Sequence, residues 1–138
     1  MDWLPYALAS AVFAAATAIL CKLGISGIPS NLATAIRTVV ILLFAWSIVL
    51  VRGEHRTLAG LKSKAVIFMV LSGVTTGLSW LAYFRALQLA PAARVAPIDK
   101  LSLPLTLVFA MLLLHESVSP YSAVGVALMM AGAILTLY

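Results

Sequence analysis

The sequence predicts an all-α, polytopic membrane protein of five transmembrane helices, and three observations carry that prediction. Of the 138 residues, 64% are hydrophobic and only 9% charged, against roughly 45–50% apolar and about 25% charged in soluble domains. The apolar residues gather into five runs, about 3–23, 32–51, 65–86, 95–114 and 120–138, each near the ~20 residues a helix needs to cross hydrocarbon. Between them lie short breaks of turn-formers and charges, "GISGIPSN", "RGEHRTLAGLKSK", "LQLAPAAR" and "HESVS". Consecutive spans therefore run antiparallel, and so little chain is left over that residues 1–138 read as one transmembrane domain.

The first run, "MDWLPYALASAVFAAATAIL", opens on an acid and is too long for the apolar core of a signal peptide, so it is expected to be a retained span. Its lone Cys21 offers no intrachain disulfide and no metal cluster, and an inert buried thiol is expected. Lys22 closes the run. The second span carries Arg37 about six residues in, and the break after it holds Arg52, Arg56, Lys62 and Lys64 in what reads as a solvated loop. Leu58 and Leu61 give that loop an alternative reading as an interfacial turn.

The third span places Gly73 and Gly77 in a GxxxG and then Trp80, Tyr83 and Phe84 before Arg85. Aromatics at that level form an interfacial belt or, facing inward, wall a pocket. The fourth span contains Arg94, Pro97, Asp99, Lys100 and Pro104 in "RVAPIDKLSLPL". Pro104 crowds the carbonyl of Lys100 and Pro97 that of Ala93, so freed backbone is expected beside the charges. A helix opened around a polar pocket and a simple structural kink both fit that pattern. The fifth span starts at Ser119 and Pro120, a helix-start signal, with Glu116 as an interfacial cap. Gly125 and Gly132 then accompany Ala123, Ala127 and Ala131 as a helix-packing face, serving either the monomer or a dimer seam.

At 1.5 Å per residue, Lys22, Arg37, Arg85, Asp99 and Lys100 all fall within roughly 10 Å of one membrane face. Lys22, Arg85 and Arg94 are at helix ends and are expected to snorkel. Arg37, Asp99 and Lys100 lie deeper, and two readings stand: Asp99 neutralises Arg37 or Lys100 as a structural pair, or these groups line a substrate path together with Trp80 and Tyr83. The excess of cations over Asp99 suits anionic or zwitterionic solutes.

Other classes fit poorly. The net charge of +5 is scattered singly through apolar sequence, without a basic arm, which argues against nucleic acid. No nucleophile–base–acid set, metal-ligand cluster or phosphate loop is legible, so neither an enzyme nor a cofactor is expected, and His55 and His115 read as solvated. By side of the membrane, Arg52, Arg56, Lys62 and Lys64 face Lys22, Arg85 and Arg94, or five cations when the deeper Arg37 and Lys100 are counted. The water-exposed loop alone gives a weak bias toward a cytoplasmic N-terminus that permits insertion both ways. The sequence has no internal repeat, so a two-fold working unit needs a second polypeptide.

With those residues in hand, the chain resembles a single EamA-type module of the drug/metabolite transporter superfamily, in particular its short five-span bacterial and archaeal transporters. The resemblance covers essentially the whole length. It rests on "SNLATAIRTVV", "GLSWLAYFRALQLAPAARVAPIDKLSLPL" and "LLLHESVSPYSAVGVALMMAGAILTLY". It implies a multi-pass protein of the inner (cytoplasmic) membrane, half of a ten-helix inverted-repeat transporter, acting as an antiparallel homodimer or paired half-transporter in dual topology. Alternating-access export of small metabolites is the implied activity. Small multidrug-resistance pumps of the same superfamily use a membrane-embedded Glu in the first helix, which this first span lacks. A non-transporting membrane subunit that stabilises a partner is the alternative from another class.

Overall fold

The computed structural model describes residues 2–138. Its elements are α1 (Leu4–Gly24), α2 (Ser30–Val51), a 3₁₀ turn (Glu54–Gly60), α3 (Ser63–Leu89), α4 (Ala92–Asp99), α5 (Ser102–Leu113) and α6 (Pro120–Leu135). α1, α2, α3 and the stretch Ala92–Leu113 are each long and apolar enough to cross a membrane. α6 has 16 residues, about 24 Å of helix. Beyond it the Thr136, Leu137 and Tyr138 N–H groups donate to the Ala133, Ile134 and Leu135 carbonyls in a closing turn, which serves backbone groups the helix end leaves open. The chain is an all-α multi-pass membrane protein with four long apolar helical runs and a shorter fifth.

Local chemistry sets the helix ends. Gly27 takes φ +76 between α1 and α2, and Pro29, extended at the N-cap, starts α2. α2 stops where the Arg52 N–H bonds to the Ile48 carbonyl at 2.9 Å and Gly53 adopts φ +70, a left-handed cap that glycine takes without a Cβ penalty. The following break is the 3₁₀ turn; Arg52 and Glu54 pair at 3.7 Å across its start, and Leu58 on it and Leu61 just after it are exposed. After α5, His115 has φ +54 and lets the Glu116 N–H reach back to the Ala110 carbonyl at 3.2 Å.

α6 begins as its sequence signal demands. Ser119 accepts a hydrogen bond from the Ser122 N–H at 3.2 Å and Pro120 occupies the first turn, where its missing N–H costs nothing. Ser119→Ala is expected to cost about 1 kcal/mol, read as a lower midpoint for reversible unfolding in mixed micelles. Ser119→Asp should retain the wild-type midpoint, and equal loss in both variants would argue against the cap.

Hydroxyls within the spans bond back to their own helices. Thr34 donates to Ser30 O at 2.9 Å, Thr38 to Thr34 O at 2.8 Å, Thr76 to Ser72 O at 2.8 Å and Thr106 to Ser102 O at 2.9 Å. Lipid offers no acceptor, so this back-bonding is what lets these side chains sit in apolar helices.

The chain divides into two compact units, one of Met1–Leu20 with Leu89–Tyr138 and the other of Cys21–Gln88. In the first, α6 packs against α4 and α5, and Ala133 is buried. In the second, Ile25, Thr34, Phe84 and Leu87 are buried, Leu87 completely. Large apolar side chains elsewhere are exposed on each spanning run, among them Phe13, Leu43, Met69, Leu112 and Leu128. In water so broad an apolar surface drives association; in a bilayer it is the ordinary lipid-facing side.

Candidate functional site

The charged layer takes shape in the second unit, where α1 ends, α2 begins and α3 ends. Arg37 lies about 10 Å along α2 from its first residue. Because α3 runs antiparallel to α2, the late residues of α3 are at the same level. There the Arg37 guanidinium carbon sits 4.1 Å from the centroid of the Trp80 ring and 5.6 Å from that of Phe84. The two rings are one helical turn apart and so share a face of α3. Arg37, Trp80 and Tyr83 are half-buried, whereas Phe84 is buried.

Phe84 was absent from the site residues expected from the sequence, which drew on Trp80 and Tyr83. Its four-residue spacing from Trp80 was the available signal. A membrane-interface aromatic belt draws on the same residue types at the same depth, and composition alone does not separate the two.

The other polar groups in this region stitch helix ends together. Lys22 Nζ donates to the Leu87 carbonyl, one of the last carbonyls of α3, which have no partner within the helix and carry the negative end of its dipole. Its ammonium therefore caps a helix rather than only reaching for headgroups. Gln88 Nε2 donates to the Ile28 carbonyl at 2.7 Å and Gln88 Oε1 accepts from Arg85 Nη1 at 3.1 Å. The link between α1 and α2 is thus pinned to the end of α3.

Magnitudes single out Arg37. A cation within hydrocarbon costs about 2.5–3.5 kcal/mol on insertion scales. A guanidinium over aromatic faces recovers about 0.5–1 kcal/mol when exposed and about 2 when desolvated. The rings do not offset the cost by themselves. Aromatic rings accept no conventional hydrogen bond, and among the described residues the guanidinium N–H donors meet no oxygen acceptor.

The first unit holds Asp99 and Lys100. Lys100 Nζ lies 3.3 Å from Asp99 Oδ2, with side chains 55% and 38% exposed. So open a pair between sequence neighbours contributes about 0–1 kcal/mol, and it separates readily. Asp99 ends α4 and Ser102 starts α5, with Pro97 inside α4 and Pro104 inside α5. At the junction Lys100 N–H bonds to Pro97 O (3.1 Å), Leu101 N–H to Ile98 O (3.0 Å) and Leu103 N–H to Lys100 O (3.0 Å). These are three-residue bonds of the 3₁₀ type.

One expectation is corrected here. The Lys100 carbonyl, which Pro104 has no N–H to serve, is not left open, because Leu103 takes it. The chain tightens at this point instead of unwinding.

The small-residue faces are open within their own units. A Cβ added at Gly73 or Gly77 in the second unit, or at Gly125 or Gly132 in the first, meets nothing within 4 Å there. None of the four marks a close helix crossing inside its unit.

Comparison with known proteins bears on the whole length of the chain. A family model described as "EamA-like transporter family" matches residues 1–138. A Sinorhizobium sp. protein described as "Uncharacterized transporter in cobO 3'region" is 47% identical over 134 residues, 97% of this chain and 95% of that protein. No solved structure gives a significant match.

Proposed function

The chain belongs to the EamA-like transporter family, and on that premise we propose that it is an exporter of small metabolites working by alternating access as an antiparallel homodimer. The observation that carries the reading is the agreement in length: the family match spans 1–138, and the transporter-designated relative is covered to 95% by the same five-run chain. A module without an internal repeat supplies one half of a two-fold path, so the other half comes from a second, inverted copy.

In this reading Arg37, Asp99, Lys100, Trp80 and Tyr83 are the residues that contact substrate along the path. The α4–α5 junction at Pro97 and Pro104 is where the fourth span flexes, since its 3₁₀ bonds and exposed ion pair resist bending less than a continuous helix does. The open faces at Gly73, Gly77, Gly125 and Gly132 are available for close approach by the second copy.

Topology tests the proposal. With Cys21 replaced by Ser and Ser63, exposed at the start of α3, replaced by Cys, intact cells are labelled from outside with an impermeant maleimide. About half of the molecules should react, because the Lys/Arg bias is nearly balanced. Complete labelling or none would sink the antiparallel homodimer and direct attention to an inverted partner chain or a non-transporting subunit.

A further inference from the structure

We propose that Arg37 is the anion-recognising group of the transporter and that its substrates present a single carboxylate to it, an inference that rests on the transport reading above. The arrangement in the second unit carries it. Trp80 and Phe84 lie beside the guanidinium carbon at 4.1 and 5.6 Å, and among the described residues no oxygen acceptor takes its N–H donors. A planar carboxylate fits the guanidinium fork with two parallel hydrogen bonds.

The neighbouring cations of the unit are occupied. Lys22 donates to the Leu87 carbonyl and Arg85 to the Gln88 side chain, so both have oxygen partners that hold the helix ends together. Among the described residues Arg37 has aromatic rings beside it and no oxygen acceptor. Arg37 is thus the cation of this group with N–H donors open to a ligand, and its planar fork matches the two oxygens of a carboxylate. The ring contacts restrict the guanidinium before a ligand arrives, which lowers the side-chain entropy lost on binding.

The test uses the purified full chain in lipid nanodiscs, with acetate, benzoate, L-leucine and L-phenylalanine each compared with its amide, and inorganic phosphate beside them. Thermal stability is the first readout. The second is Trp80 emission in a Trp3→Phe, Trp46→Phe background, which needs no change at Arg37. At least one carboxylate should stabilise the chain and shift Trp80 emission where its amide does not. Arg37→Gln should weaken that binding about tenfold or more, and Arg37→Lys should restore part of it.

Silence of every carboxylate in both readouts overturns the inference. So does stabilisation by amides or phosphate instead, or a carboxylate response that survives Arg37→Gln; binding of amides in that case leaves the carrier reading in place for neutral solutes. Arg37-dependent carboxylate binding in a chain that inserts in one orientation would uphold the site and remove only the antiparallel homodimer.

Discussion

Phe84→Ala is expected to lower the stability of the chain in mixed micelles by about 3–5 kcal/mol, as truncation of a buried aromatic does. Phe84 is 3% exposed, in a protein where most large apolar side chains face outward. With lipid on the outside there is little hydrophobic gain from bringing helices together, and packing contacts carry the fold. Few buried side chains then share that load. Phe84→Ala empties a site at the end of α3 and removes the second ring beside Arg37. Phe84→Leu, which keeps most of the volume without the ring, should cost markedly less, and the difference between the variants separates packing from the cation–π contact. Phe13→Ala, at 72% exposure, should fall within about 0.5 kcal/mol of wild type. A Phe84→Ala loss no larger than that of Phe13→Ala would refute the packing role.

Fixing the orientation is expected to abolish self-association, and mixing two oppositely fixed chains to restore it. Lys62 and Lys64 contribute two of the four cations on their side, so Lys62→Gln with Lys64→Gln should drive insertion from about half toward nearly all in one direction. Arg94→Ser with Ser117→Lys, both at exposed positions, should drive it the other way. Differently tagged copies of either variant alone should fail to co-purify, whereas co-expression of the two should recover the complex. Co-purification of a single fixed variant with itself at wild-type levels would mean a parallel assembly and end the inverted-pair reading.

Element by element, legibility followed the range of the forces involved. The runs of α1, α2 and α3 and the start of α6 at Ser119 and Pro120 were readable because hydropathy, glycine and proline act on their own neighbours. The second break was readable as a polar link but not as a 3₁₀ turn, which short-range propensity scarcely distinguishes from other loop forms. At "APIDKLSLP" the prolines announced an interruption at Lys100, yet whether its carbonyl stays open depended on where the Leu103 N–H fell.

Composition and the spacing of apolar runs determined by themselves that this chain is an all-α membrane protein, because a bilayer admits few ways of satisfying a backbone and the helical one needs about 20 apolar residues per span. Tertiary structure alone decided the partners of the charges. Lys22 went to the Leu87 carbonyl and Arg37 to the faces of Trp80 and Phe84. Residues tens of positions apart meet only once antiparallel helices set their relative level and rotation, and a contact that depends on ångströms between helices is not encoded in the hydropathy of either one.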